Sequence, residues 1–167
     1  QQLPGRRIVL LEKDRFPRHH VGEALLPESN SVLHKMGVID KIDAAGFLRK
    51  AGATFNWKQG SKIFSEVFIE DFSTELNRDR AKIPAYTWQV TRSKYDQLLL
   101  ENAAERGVEV FQPVDVKGVL RDGERVIGLR AQPEGGAPVE IACDWVCDCS
   151  GLGRVLAREL ALPHVEH

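Results

Sequence analysis

Arg7-Ile8-Val9-Leu10-Leu11-Glu12 is the stretch whose reading decides the fold. Four aliphatic residues in an unbroken run, closed by an acid, suit a strand buried in a parallel sheet rather than an alternating, half-wet one. An acid at the end of the second strand of a βαβ unit is placed to accept hydrogen bonds from a ribose hydroxyl, so Glu12 is a candidate nucleotide-binding residue. The glycine-rich turn that grips the pyrophosphate belongs roughly 20 residues ahead of such an acid. Only eleven residues precede Glu12, too few for a strand, a glycine turn and a helix. The expectation is a piece of a longer protein, begun after that turn.

Outward from this strand, Pro27 to Met36 reads as a helix, with Pro27 in its first turn and Gly37 as its stop. Val38 to Ala45 is a second short helix. Ala53 to Trp57, Ile63 to Phe72 and Tyr86 to Val90 are strand candidates. The polar stretch from Ser73 to Ala85 between them reads as a surface loop, whose charged part from Glu75 to Lys82 is solvated. Ser93 to Arg106 is a helix: Ser93 is placed to cap it, Asp96 completes a capping box, and Gly107 stops it. Tyr95, Leu98, Leu99 and Ala103 share one face of that helix. Val108 to Phe111 is a strand. Val114 to Leu120 and Arg125 to Ala131 flank Asp122-Gly123, a hairpin signal. Val139 to Cys147 is read as a further strand re-entering a buried sheet, followed by the loop Asp148 to Gly151 and a helix from Val155 to Leu160. The order fits an α/β, Rossmann-like dinucleotide-binding layer, incomplete at its start, with an inserted β-sheet region and a β-meander.

Composition narrows the function classes. The chain has 167 residues, a net charge of -1 and 43% hydrophobic residues, enough for one globular domain with a core. No basic excess exists to neutralise phosphates, which argues against a nucleic-acid partner. No apolar run approaches the ~18 residues of a membrane span, and the first residues carry no secretory h-region. Cys143, Cys147 and Cys149 crowd one segment; an odd, clustered count points to a reducing cytoplasm rather than a disulfide framework. Small hydrophobes on one face of a strand is the preferred reading over a metal site. His19 and His20 are read as hydrogen-bonding loop residues, and Trp57 and Trp88 as sheet core.

Four motifs, in order, resemble one superfamily. The run Leu10-Leu11-Glu12-Lys13-Asp14-Arg15-Phe16-Pro17-Arg18-His19-His20-Val21-Gly22-Glu23-Ala24-Leu25-Leu26-Pro27 is similar to the segment after the first glycine loop of flavin-dependent halogenases and their monooxygenase and geranylgeranyl-reductase-like relatives. Lys50-Ala51-Gly52-Ala53-Thr54-Phe55-Asn56-Trp57 resembles their K-x-G-A-x-F-x-W stretch. Gln89-Val90-Thr91-Arg92, with Tyr95-Asp96 and Leu98-Leu99, resembles their helix entry, and Asp148-Cys149-Ser150-Gly151 their D-A-S-G loop. Together they cover almost the whole chain. There are two departures: Cys149 stands for the usual Ala, and Ala24 replaces a common Ser. The halogenase W-x-W-x-I-P signature would lie beyond His167.

The resemblance implies an FAD-binding domain of the GR2 type, with a partial FAD-binding region over 1–50, a substrate-side β region over 51–91, and the FAD-binding helix, meander and D-x-S-G loop over 92–167. Glu12 would bind the adenosine ribose, with Lys13 beside it among the cofactor contacts. Arg18, Gly22 and Glu23 would lie along the cofactor, Arg92 would reach its ribityl–pyrophosphate region, and Asp148, Ser150 and Gly151 would line the adenine side. An anionic pyrophosphate favours an arginine fork and close glycine backbone. Lys50 would be catalytic, receiving hypohalous acid and delivering electrophilic halogen; repulsion from Arg49 would lower its proton affinity if both were buried.

The implied activity is that of an FAD-dependent halogenase or monooxygenase acting through a flavin C4a-hydroperoxide on an aromatic or electron-rich small molecule. The electrons would come from a flavin reductase or reduced nicotinamide. A geranylgeranyl-reductase-like flavin oxidoreductase keeps the fold with a different reaction, and a non-catalytic remnant is the reading of another class. The isolated chain is expected to be inactive, and exposed sheet edges favour association with another chain, a homo-oligomer included.

Overall fold

The first helix shows how local chemistry sets the elements. Pro27 occupies its first turn, where a missing N–H costs nothing, Glu28 faces the positive end, and His34 and Lys35 the negative end. At the other end Gly37 takes φ +61°. Its N–H donates to the His34 carbonyl (2.9 Å) and that of Val38 to Leu33 (3.1 Å), the paired bonds of a Schellman stop. The two residues such a stop brings together, Leu33 and Val38, are both buried. The glycine therefore ends the helix and starts the core in one step.

The computed structural model describes residues 5–59, 62–71 and 86–163, with 53–59 and 62–71 given by their backbone alone. The expected loop from Ser73 to Ala85 and the side chain of Trp57 lie outside the described residues. The elements are β1 (Val9–Leu11), α1 (Pro27–Lys35), α2 (Ile39–Ala44), β2 (Leu48–Lys50), β3 (Gly52–Gln59), β4 (Lys62–Asp71), β5 (Thr87–Gln89), α3 (Arg92–Glu105), β6 (Glu109–Phe111), β7 (Val114–Asp122), β8 (Arg125–Pro133), β9 (Val139–Ala142), a 3-10 turn (Gly151–Gly153) and α4 (Val155–Glu159). Among the described residues no helix is long and apolar enough to cross a membrane. The chain divides into two units, one of Gln1–Phe16 with Ala103–His167 and one of Pro17–Asn102.

In the first unit β1 pairs parallel with β6, Val9 opposite Glu109 and Leu11 opposite Phe111. β7, β8 and β9 form an antiparallel sheet in that order, with Val114, Val119 and Ala131 buried and α4 packed on β7. The β7–β8 hairpin turns at Gly123-Glu124, since Asp122 already pairs with Arg125; the turn is one residue later than expected. Only Gly123 of the two takes a positive φ, the pattern of a type II′ turn.

Three expectations are corrected here. β1 is half-buried, not buried, with Ile8 and Phe111 exposed at its side, because β6 is its only partner among the described residues. β9 ends at Ala142 rather than Cys147. Ala142 faces Gly128, and the last ladder bond runs from Cys143 N–H to Ile127; only Val126 and Arg125 of β8 remain before its hairpin turn, too few to pair with a strand running on to Cys147. Trp145 is consequently 84% exposed, and the cysteines share no strand face: Cys143 is half-buried, Cys147 and Cys149 exposed.

In the second unit the core is Leu33, Val38, Ile42, Trp88, Val90 and Tyr95, with Leu98 and Leu99 packed against it. Tyr95, Leu98 and Leu99 thus fall where the helical pattern puts them. The helix α3 begins at Arg92, one residue before the expected cap, and Tyr95 N–H donates to the Thr91 carbonyl (2.9 Å). Ser93 lies inside the first turn, and Asp96 pairs with Arg92 rather than closing a capping box. β2 and β5 pair antiparallel, and the segment at Ala24 bridges the other side of β5 at Gln89. β3 and β4 form a separate antiparallel pair.

Candidate cofactor-binding and active site

The expected site residues form two groups, one in each unit. In the first, Glu12 follows the last residue of β1. Its N–H donates to Phe111 (3.0 Å) and its carbonyl accepts from Val114 N–H (2.8 Å). The backbone of the acid is therefore held between the end of β6 and the start of β7. Its Oε1 accepts the N–H of Asp14 (2.9 Å). Exposed Lys13 lines an open cavity of about 280 Å³ with Asp115, Gln132 and Glu134. Glu12 itself stands at the C-terminal tip of a parallel strand, the position at which an α/β nucleotide fold places its ribose-binding acid.

The Asp148 loop is in the same unit. Asp148 accepts Ser150 N–H at Oδ1 and Leu156 N–H at Oδ2 (2.8 Å each), while Ser150 Oγ accepts Val155 N–H (3.1 Å). The Ser150 side chain and these N–H groups hold the Asp148 carboxyl below its usual range. Asp148 and Ser150 thus shape the loop, which leaves Gly151 exposed at its turn. Replacing Asp148 with alanine is expected to raise amide exchange at Ser150 and Leu156 by roughly tenfold, the cost of one or two lost bonds. Hydrogen exchange on the two chains is the check, and unchanged protection would remove Asp148 from this role.

In the second unit Arg92 organises the loop that carries Arg18, Gly22 and Glu23. Its Nε and Nη2 fork onto Asp96 (2.7 and 3.0 Å), an i,i+4 pair. Its Nη1 donates to the carbonyls of Val21 and Gly22. The hydrogen bond with Asp96 raises the guanidinium further above its ordinary value. Arg18 Nη1 lies 4.0 Å from the same carboxylate. Gly22 sits at φ +93°, and a Cβ there would lie 3.1 Å from Arg92 Nη1. Only glycine suits both the dihedral and the approach. Beyond it the Glu23 carbonyl accepts Val90 N–H (2.8 Å), and Leu25 N–H donates to Trp88 (3.0 Å). His19 and His20 are exposed, and His20 Nδ1 meets the Val21 carbonyl at 2.9 Å. Most of the Arg92 fork is thus engaged within the protein, a use its position in the motif did not reveal.

Lys50 ends β2. It is half-buried, and its Nζ donates to the Leu25 carbonyl at 3.2 Å. Thr87, opposite it in register, is buried, and its hydroxyl has no hydrogen-bond partner among the described residues. The expected repulsion from Arg49 is not supported by the geometry. Successive strand side chains point to opposite faces, and Arg49 is forked onto Asp43 (3.2 and 2.9 Å) with its guanidinium 4.5 Å over the Tyr86 ring.

Asp43 escaped sequence reasoning altogether. It accepts Tyr86 O–H (2.7 Å) and Trp88 Nε1–H (3.1 Å) besides Arg49. Burial pushes its carboxyl up, but hydrogen bonds from Tyr86, Trp88 and Arg49 outweigh that, and the net shift is downward. Asp43→Ala leaves the buried indole N–H without its acceptor and is expected to cost about 2 kcal/mol, read from the urea midpoint. Because the folded carboxyl is the stronger acid, its contribution is complete above the unfolded value near ~4 and lost as pH falls through the folded one. The gap between the parent chain and Asp43→Asn should therefore narrow below about pH 4.

The chain carries a parallel strand pair with a fixed acid at its tip, as nucleotide-binding α/β folds do, and the FAD binding domain family matches residues 3–166. The chain belongs to that family, and its cofactor is FAD. It is 31% identical over 93% of its length to a tryptophan 2-halogenase of Chondromyces crocatus. It is 34% identical over 95% of its length to a 1H-pyrrole-2-carbonyl-(peptidyl-carrier protein) chlorinase of Pseudomonas fluorescens. The crystal structure of CmlS, a flavin-dependent halogenase, superposes with a TM-score of 0.78 at 34% identity, over 94% of this chain and 27% of that one. The chain spans 27% and 37% of the two curated relatives' lengths.

Proposed function

We propose that this chain is the cofactor-holding part of an FAD-dependent halogenase with a GR2-type fold, and that Lys50 transfers the halogen to an aromatic or electron-rich small molecule. The single observation that carries the transfer role is the Lys50 amine, half-buried on a strand and tied to a backbone carbonyl instead of reaching into water. The kinship with halogenases supports the same reading. Glu12 binds the adenosine ribose with Lys13 beside it. Arg18, Gly22, Glu23 and Arg92 line the cofactor's middle, and Asp148, Ser150 and Gly151 its adenine side. Bound flavin, reduced by a flavin reductase or by reduced nicotinamide, supplies the oxygen activation. The Lys50 amine takes halogen from hypohalous acid, releasing water. It then passes the halogen to a ring carbon, which loses its proton to the amine, so Lys50 ends as it began.

The test uses the natural polypeptide that carries this segment, with FAD, a flavin reductase, reduced nicotinamide and either chloride or bromide. Indole, phenol and pyrrole serve as probes, and product mass is the readout. Halide-dependent mass gain with a chlorine or bromine isotope pattern is expected. Oxygen incorporation that ignores halide would instead make the protein a monooxygenase.

A further inference from the structure

β2 is three residues long and stands at an edge among the described residues, pairing with β5 alone. So short a strand carries little register information of its own. Its middle residue, Arg49, lies opposite Trp88. Arg49 forks onto Asp43, the carboxylate that also accepts the Trp88 indole N–H. One residue of α2 thus grips both members of the central β2–β5 pair. Tyr86 closes the arrangement, donating to Asp43 and lying under the Arg49 guanidinium. An isolated exposed ion pair contributes little, but this carboxylate is held by three donor groups at once. Lys50 is the next residue along, on the opposite face, and its amine reaches Leu25, whose own N–H is tied to Trp88.

We propose that Asp43 and Arg49 are positioning residues for Lys50: the fork rivets the centre of β2 to α2 and β5, and this places the Lys50 amine. The inference rests on the reading of Lys50 as the halogen carrier. The geometry argues for a bidentate pair, since a point charge at position 49 cannot hold both carboxylate oxygens in one plane.

The test reads the amine directly. Lysines are reductively methylated with formaldehyde and a borane, and the rate at Lys50 is followed by peptide mass spectrometry against Lys35, Lys41 and Lys94 of the same unit. In Arg49→Met, Lys50 should be labelled roughly fivefold faster relative to those references, because only the local tether is lost. Arg49→Lys, which keeps charge and length, should not restore the parent rate. In the halogenation assay both variants should yield less halogenated product per flavin consumed. Equal acceleration at all four lysines would mean general loosening and would overturn the proposal. So would an unchanged Lys50 rate in both variants. Should Lys50→Ala retain halogenation, the carrier reading fails, while the labelling ratio still decides the tether.

Discussion

Replacing Lys50 with alanine is expected to lower halogenated product by about 100-fold or more, the scale on which a positioned reactive group contributes. Flavin reoxidation should continue, because the change removes a half-buried amine from the end of β2 and touches none of the residues assigned to the cofactor. Lys50→Arg separates chemistry from charge. A guanidinium keeps the cation but has no lone pair available at any working pH, so it can neither accept halogen nor return it. Arginine at this position is therefore expected to be as inactive as alanine. Product formation by Lys50→Arg near the parent rate would sink the transfer role and leave Lys50 as a charge on the sheet. Following product and flavin absorbance in one reaction gives both numbers.

The second large effect is on stability. Gly128, buried in β8, pairs with Ala142 of β9 and lies opposite Leu120 of β7. A Cβ there would come to 2.4 Å from the Ile141 carbonyl oxygen and 3.1 Å from the Ala142 Cα. Neither atom can swing away as a side chain would, so β8 and β9 must separate. Gly128→Ala is expected to cost about 3 kcal/mol, at the upper end of overpacking penalties, and to lower Tm by roughly 6–12 °C. Thermal unfolding by circular dichroism is the measurement; a change under about 2 °C would mean that β9 does not pair as observed. Gly118 offers a contrast on the neighbouring strand. Its nearest atoms are the ends of the Glu159 and Arg130 side chains at 2.6 and 2.9 Å, which can move. Gly118→Ala should cost much less.

What could be read from the sequence followed the range of the interaction responsible. The stops at Gly37 and Gly107, the apolar face of α3 and the β7–β8 hairpin depend on residues within a few positions of each other, and they are where the pattern puts them, the hairpin's turn to within one residue. The acid after β1 was legible because the apolar run and the charge that closes it are adjacent in sequence, and the strand pairs parallel as expected. The extent of β9 was not legible, because a strand lasts only as long as its neighbour and that neighbour is set by the register with β8. The cysteine reading failed with it. The Asp43 cluster was out of reach for the same reason, since it unites residues 43, 49, 86 and 88, whose proximity only the folded chain creates. The Arg92–Asp96 pair could have been found: four residues apart on a helix, opposite charges meet.

The grip of Arg92 on its loop is blind to what that loop displays. Its Nη1 holds main-chain oxygens, which any amino acid supplies, and Val21 is 72% exposed. Position 21 can therefore change its outward chemistry without disturbing the arch beneath it, whereas Gly22, pressed against the guanidinium, has no such latitude. Two adjacent residues of one turn are thus under opposite constraints, one open to variation and one closed to it.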